Sequence, residues 1–98
     1  MPGSRYYTYL MTNDRHTVIY TGMTNNLRER VKDHIDGKSK FTAKYNVYNL
    51  VYFEEYGSPG EAIKREKQIK AGSRAKKEAL INEFNPSWRD FGLELLSR

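Results

Sequence analysis

The sequence contains no cysteine and only two histidines, and these absences exclude several kinds of site. Without cysteine the chain can form neither disulfide bridges nor cysteine-ligated zinc or iron–sulfur centres, which suits a reducing cytosol. Zinc hydrolase centres usually draw on two or three imidazoles. Only His16 and His34 are available here, so zinc-based hydrolysis is disfavoured.

Long apolar runs are missing as well. No run approaches the roughly eighteen residues that a membrane-spanning helix needs, and segment 1–5 lacks the apolar core of a targeting signal. We therefore expect no membrane partner. The 98 residues are enough for one compact domain, which we place at 1–98, with a core at about 5–91 and a tail at 92–98.

The net charge of +5 favours a polyanionic partner, which for a small basic domain is most often nucleic acid. Two basic regions are predicted to follow a phosphate backbone: Lys38, Lys40 and Lys44, and then Lys64, Arg65, Lys67, Lys70, Arg74, Lys76 and Lys77. Beside Lys40, the rings of Phe41 and Tyr45 could stack on an unpaired base. No helix has a row of base-reading residues, so we expect structure-dependent or nonspecific binding. The alternative is an ordinary solvated surface.

Two runs rich in β-branched and aromatic residues, Arg5–Thr12 and Thr17–Thr21, are separated by a polar turn and predict a hairpin. Gly22 is expected to end the second strand. A third run, Val47–Tyr56, has a continuous apolar centre and predicts a central strand. Segment 38–46 has no clear period and is interpreted as a basic loop.

Three helices are predicted, each with a capping residue at its start. They run from Thr24 or Asn25 to Gly37, from Pro59 to Gly72 after a cap at Ser58, and from Arg74 to Phe84 after a cap at Ser73. In the first helix an apolar stripe recurs at Leu27, Val31 and Ile35, with Arg30 and His34 beside it. The tail should fold back through Trp88, Phe91, Leu93 and Leu95.

These elements predict an α+β fold, a small three-stranded sheet covered by helices in the order β-β-α-β-α-α. A helix separates the second and third strands, so the order alone permits either parallel or antiparallel pairing.

Glu66 lies on the apolar side of the second predicted helix, where a carboxylate rarely occurs without a partner. Projected at about 100° per residue, it falls on the same side as Ala62, Ile63 and Ile69. Removing its charge from water costs several kcal/mol unless a cation or hydrogen bonds compensate. The partner could be an arginine from elsewhere in the fold or a divalent metal ion in a site for phosphate chemistry.

A set of widely spaced motifs extends along the chain: Tyr7-Thr8-Tyr9, Tyr20-Thr21-Gly22, Arg30, His34, Glu66 and Asn85-Pro86-Ser87-Trp88. This set resembles the GIY-YIG nuclease superfamily over about 5–91. Tyr7 and Thr8 replace the glycine and isoleucine of the first name-giving triplet, and Thr21 replaces the isoleucine of the second. Within the superfamily the chain is similar to the small UPF0213-like proteins, which resemble the nuclease domain found at the N-terminus of an excinuclease.

The resemblance implies a metal cofactor and two catalytic tyrosines. Glu66 would be the sole carboxylate ligand of a catalytic Mg²⁺ or Mn²⁺ ion, with water and phosphate at the other positions. Tyr9 would accept a proton from the attacking water, and Tyr20 would hydrogen-bond that water or the scissile phosphate. An ordinary phenol has a pKa of about 10, so Tyr9 as a base predicts a rate that rises with pH into the alkaline range.

Arg30, His34 and Asn85 complete the catalytic set that the resemblance implies. Arg30 would neutralise the charge that builds on the phosphorane. His34 would hold the phosphate or protonate the leaving group, and Asn85 would position backbone or phosphate groups with its amide. Without the resemblance, the tyrosines would be interpreted as half-buried strand residues, and Arg30 and His34 as the edge of a helix stripe.

The function that the resemblance favours is a metal-dependent DNA endonuclease that hydrolyses phosphodiester bonds in repair or recombination. Two alternatives stay open: a nucleic-acid-binding module that cleaves weakly or not at all, and a small protein that docks onto a larger repair protein through segment 88–96. The substrate could be duplex, flap, branched or single-stranded DNA, or RNA. The family is frequent in bacteria, so a cytoplasmic bacterial protein is expected.

Overall fold

The computed structural model describes residues 5–38 and 40–97. Its elements are β1 (Tyr6–Thr12), β2 (Ile19–Thr24), α1 (Leu27–Ile35), α2 (Lys40–Lys44), β3 (Asn49–Tyr56), α3 (Pro59–Ala71), α4 (Arg74–Phe84) and α5 (Gly92–Leu96). Segment 1–4 and the side chain of Phe41 lie outside the described residues, and so do the expectations for them. No helix in the described part of the chain is long and apolar enough to cross a membrane.

β1 is the central strand of an antiparallel sheet with the order β2-β1-β3. The predicted hairpin and the α+β order are confirmed, but the expectation of a central third strand is wrong. β3 pairs with β1 on one side, and the loop before α5 covers part of its other edge. In that loop Phe91 N–H donates to Leu50 O, and Asn85 Nδ2 donates to Val51 O. The loop therefore helps to bury the apolar centre of β3 without a second strand beside it.

β2 continues through Gly22 to Thr24, beyond its predicted end. Gly22 lies opposite Tyr9 in the sheet, and a Cβ atom there would lie 2.5 Å from Cζ of Tyr9. The missing side chain therefore admits the Tyr9 ring and does not end the strand. α1 accordingly starts later than expected, with Asn26 as the cap that accepts a hydrogen bond from Glu29 N–H.

The segment after α1 contains a short helix where a loop was expected. The predicted end of α1 near Gly37 is confirmed, since this glycine has a φ of +74°. Segment 38–46 contains the short helix α2, so its interpretation as a loop is wrong. Thr42 and Val47 are fully buried. Their burial holds the segment against the domain, while its lysines stay on the outside.

The core comprises one residue cluster on each face of the sheet. The first contains Tyr9, Met11, Leu27, Val31, Val47 and Leu50, and the second contains Leu10, Val51, Tyr52, Ile69 and Ile81. As expected of the tail, Phe91 and Leu95 pack against the first cluster and Trp88 against the second. Three residues expected in the core are exposed instead: Ile35, Ile63 and Leu93. His34 is the buried residue in the last turn of α1, because its ring packs against the tyrosines of the sheet.

Candidate active site

Three aromatic rings meet where β1, β2 and α1 come together. The ring centroids of Tyr9 and Tyr20 are 6.3 Å apart, those of Tyr9 and His34 are 5.9 Å apart, and those of Tyr20 and His34 are 5.3 Å apart. Tyr9 and His34 are each only 1% exposed, whereas Tyr20 is partly exposed. The fold thus brings together three predicted site residues that lie on separate elements.

A hydrogen bond of 3.1 Å joins the hydroxyl of Tyr9 to Nε2 of His34. Burial, to which the charge of Arg30 adds, lowers the pKa of His34 to about 4, so the imidazole is neutral at pH 7. Burial, followed by the neighbouring Tyr20, raises the pKa of Tyr9, so the phenol keeps its proton. A neutral imidazole accepts at one nitrogen and donates from the other. With the phenol as donor, Nε2 is the acceptor and the imidazole proton lies on Nδ1.

Arg30 and Glu66 place opposite charges around these rings. Arg30 lies one turn before His34 on α1 and is exposed. Its charge acts on both Tyr9 and His34, while the charge of Glu66 acts on Tyr9. Because Glu66 belongs to α3, side chains from two different helices act on the same phenol. The site therefore combines two phenols, a neutral imidazole, a guanidinium and a carboxylate.

Glu66 is partly buried and makes neither an ion pair nor a hydrogen bond with the residues that the structure describes. The adjacent arginine, Arg65, binds Glu54 of β3 instead, with 2.9 Å between Nε and Oε1. The interpretation of Glu66 as half of a structural ion pair thus has no support among the described contacts. Its carboxylate is available to a cation.

The donor set around Tyr9 is poor in metal ligands. Within residues 5–38 and 40–97, no three histidine, aspartate or glutamate side chains come together as a metal-binding group. Glu66 is the carboxylate whose charge acts on Tyr9. A single carboxylate fits Mg²⁺ or Mn²⁺, which keep most positions for water and phosphate oxygens, and it does not fit a cage built from protein ligands alone.

Asn85 directs its side-chain hydrogen bonds to the backbone. It is buried, its Nδ2 donates to Val51 O at 3.1 Å and to Arg89 O at 2.9 Å, and its Oδ1 accepts from Arg89 N–H. These bonds attach the turn after α4 to β3. The described side-chain contacts of Asn85 are all with backbone groups, and they do not connect Asn85 to the three rings.

All six lysines predicted to contact nucleic acid are exposed: Lys38, Lys40, Lys44, Lys64, Lys67 and Lys70. Nζ of Lys38 lies 3.6 Å from Oδ1 of Asp33, and the Lys44 ammonium lies 5.4 Å from the centroid of the Tyr45 ring. The three lysines of α3 recur every third residue on the helix that also carries Glu66. Arg65, which was predicted to belong to the same basic region, forms an ion pair with Glu54.

A second polar network, which the sequence reasoning missed, attaches α3 to β3. Glu54 accepts hydrogen bonds from Tyr52, Tyr56 and Arg65. Burial alone would raise the pKa of Glu54, but hydrogen bonds from Arg65 and then from the two phenols outweigh it and lower the pKa. Alternation along β3 places Tyr52, Glu54 and Tyr56 on one face, and the sequence carried that signal. Their pairing with Arg65, next to Glu66, depends on the packing of α3.

The sequence matches a known family of catalytic domains. The family model described as the GIY-YIG catalytic domain matches residues 5–79, a span that includes Tyr9, Tyr20, Arg30 and Glu66. The chain belongs to the GIY-YIG family.

Within this family the chain is similar to UPF0213 proteins. One from Natronomonas pharaonis is 39% identical over 77 residues, covering 78% of this chain and 89% of the relative. One from Syntrophus aciditrophicus is 39% identical over 85 residues, covering 85% and 95%. A solution NMR structure of a UPF0213 protein from Bacillus halodurans covers 86% of this chain and 89% of that chain, with a TM-score of 0.56 and 30% identity. The family and the fold inferred from the motifs are confirmed.

Proposed function

We propose that the protein is a metal-dependent DNA endonuclease that hydrolyses phosphodiester bonds, with structure-selective or nonspecific cutting in DNA repair or recombination. One observation carries the proposal: two residues of the family pattern, Tyr20 and His34, meet the phenol of Tyr9 by ring contact and by a hydrogen bond. The charges of two further members, Arg30 and Glu66, act on the same phenol. Family membership supports a nuclease, and the metal, the substrate and the pathway are parts of the proposal.

Tyr9 would act as a proton relay. Burial raises its pKa, so a free phenolate is scarce near pH 7 and a direct phenolate base is disfavoured. Its hydroxyl lies within hydrogen-bonding distance of Nε2 of a neutral His34. As the attacking water transfers a proton to the Tyr9 oxygen, the phenolic proton would pass to Nε2. The imidazolium that forms could then return a proton to the leaving oxygen.

Tyr20 and Arg30 would contact the substrate directly. Tyr20 is partly exposed, and its ring centroid lies 5.3 Å from that of His34, so its hydroxyl would orient the water or the phosphate. Arg30 is exposed, and its planar guanidinium would donate two hydrogen bonds to phosphate oxygens. The charge that develops on the phosphorane would thus be balanced by a fixed cation.

Glu66 would hold the Mg²⁺ or Mn²⁺ ion. Its carboxylate can take up this role without breaking an ion pair in the described part of the chain. A bound divalent ion supplies charge neutralisation at the phosphate and lowers the pKa of coordinated water. With one protein ligand, metal affinity should depend on the phosphates of the bound substrate.

The exposed lysines support DNA as the partner, and we propose that the protein acts in the cytoplasm. Lys64, Lys67 and Lys70 are exposed on the helix of Glu66, and Lys70, four residues after Glu66, lies on its side of that helix, where it would contact a phosphate near the proposed metal site. A nucleic-acid-binding module with weak cleavage is the second candidate. The observation that favours it is the 1% exposure of Tyr9, which leaves the phenol little access to water.

The test is cleavage of labelled duplex, flap, branched and single-stranded DNA and of RNA, with Mg²⁺ or Mn²⁺. Wild type is compared with Glu66→Gln and with Glu61→Gln, which alters an exposed carboxylate on the same helix. We expect cleavage to fall on the order of 100-fold in Glu66→Gln and to persist in Glu61→Gln. Tight binding of DNA without cleavage by wild type under every condition would establish the second candidate instead.

A further inference from the structure

A buried hydrogen bond connects the strand of Tyr9 with the helix of Glu66. The hydroxyl of Thr8 donates to the backbone carbonyl of Ala62 at 2.8 Å, and both residues are fully buried. Thr8 directly precedes Tyr9 on β1. In an α-helix, the carbonyl of residue 62 also accepts the N–H group of residue 66. One hydroxyl therefore binds the turn of α3 from which Glu66 projects.

Thr12 shows that a buried threonine on β1 need not have a partner. It lies on the same face of the strand as Thr8 and is equally buried. Its hydroxyl has no hydrogen-bond partner within the described part of the chain. Neither position needs a hydroxyl to fill space, because valine has the same shape. The Thr8 hydroxyl differs in binding the helix that carries Glu66.

We propose that Thr8 is a positioning residue. By binding the Ala62 carbonyl it fixes where α3 lies along the sheet, and this sets the position of Glu66 relative to Tyr9. The role rests on the proposed function, in which the carboxylate holds the metal and the phenol moves the proton. The Arg65–Glu54 pair holds the neighbouring position of α3 to β3, so the helix is attached to two strands around Glu66. Loss of the Thr8 contact would leave α3 formed and held at Arg65, but would remove its hydrogen bond to β1 one turn before Glu66.

The variants are Thr8→Val, which removes the hydroxyl at constant shape, and Thr8→Ser, which restores it. Thr12→Val is the matched control, since it removes a buried hydroxyl that has no described partner. Two quantities are measured well below each melting temperature: the Mn²⁺ concentration that gives half-maximal cleavage, and the hydrogen-exchange rate of the Glu66 amide relative to that of buried Ile81. A general loss of stability would raise the exchange rates of both amides and leave the half-maximal Mn²⁺ concentration unchanged.

We expect Thr8→Val to raise the half-maximal Mn²⁺ concentration and to speed Glu66 exchange about fivefold, the value of one hydrogen bond of about 1 kcal/mol. Thr8→Ser should bring both the half-maximal Mn²⁺ concentration and the Glu66 exchange rate most of the way back to the wild-type values. Thr12→Val should have the wild-type values of both. Equal behaviour of Thr8→Val and Thr12→Val would overturn the proposal. If wild type cleaves no substrate, the proposed function fails, and the exchange rates alone decide whether Thr8 positions Glu66. If Thr8→Val does not fold, Thr8→Ala is compared with Thr12→Ala.

Discussion

The hydroxyl of Tyr9 lies 3.1 Å from Nε2 of His34, so a buried hydrogen bond links the central strand to the first helix. With Nε2 as acceptor, Nδ1 carries the imidazole proton, and Nδ1 is buried without a partner among the described residues. A buried donor without a partner costs about 1–3 kcal/mol. A leucine at this position would avoid that cost, so the pair is expected to add little to stability.

The protonation of His34 should make the protein less stable in mild acid. Its pKa is lowered to about 4 by burial first and by the charge of Arg30 second, whereas the unfolded chain has the ordinary value of 6.5. Between these values the unfolded state binds the proton and the folded state does not. Stability should therefore be complete above about pH 6.5 and fall on the order of 3 kcal/mol by pH 4.

Urea denaturation between pH 4 and pH 8 measures this loss in wild type and in two variants. His34→Gln should remove most of the pH dependence between pH 4 and 6.5. His16→Gln, which changes the other histidine, should retain it. An unchanged slope in His34→Gln would mean that other groups cause the acid sensitivity.

The pH dependence of the cleavage rate should distinguish the Tyr9 relay from a phenolate base. A relay needs neutral His34 and protonated Tyr9, so the rate should be level from about pH 6 to 9 and fall toward the pKa of His34, about 4. The phenolate base implied by the family resemblance predicts a rate that climbs through this range. Single-turnover rates at saturating Mg²⁺ measure the difference, and a tenfold rise per pH unit would exclude the relay.

Gly22→Ala should destabilise the protein by roughly 1–3 kcal/mol, the usual cost of forcing an extra methyl group into a packed site. The new Cβ would lie 2.5 Å from Cζ of Tyr9, whose ring is buried and cannot move aside without leaving His34. Gly60→Ala is the control, because nothing lies within 4 Å of a Cβ there. In a helix it should be neutral or stabilising by up to about 1 kcal/mol. Equal stability of the two variants would show that β2 can move away from Tyr9.

Glu54→Gln should destabilise the protein by about 2 kcal/mol, because it weakens hydrogen bonds from one guanidinium and two phenols. The neighbouring Glu55→Gln changes an ion pair with Arg5 whose side chains are 58% and 44% exposed. Such pairs contribute less than about 1 kcal/mol. Urea denaturation of both variants tests the contrast, and a larger loss in Glu55→Gln would contradict it.

Local sequence signals predicted the bounds of α3 and α4 well, because a capping serine and a stop residue mark each of these helices. Ser58 and Ser73 accept hydrogen bonds from the first turns of α3 and α4 as expected. The same reasoning failed at Gly22, which was interpreted as a strand end. Position 22 is a glycine because the ring of Tyr9 on the neighbouring strand occupies the space of a side chain there. The local sequence pattern does not indicate a contact between two strands.

Some polar residues of the site were predicted from the sequence, and the contacts of others were found only in the structure. Tyr9, Tyr20, Arg30, His34 and Glu66 were predicted from the family pattern, and the fold connects all five by ring contact, hydrogen bond or charge. The hydrogen bond of Thr8 to Ala62 and the pair between Arg65 and Glu54 were not predicted, because both depend on how α3 packs on the sheet. Of the two partners left open for Glu66, an arginine from elsewhere in the fold forms no ion pair with it among the described residues.

The sequence by itself determined the family, the order of strands and helices and most of the proposed catalytic set, because these depend on residue types at set spacings. Only the tertiary structure decided that β1 is the central strand, that Tyr9 and His34 share a buried hydrogen bond, and that Thr8 holds the helix of Glu66. Strand order, burial and protonation depend on contacts between distant segments. Those contacts form when the two faces of the sheet are covered by helices.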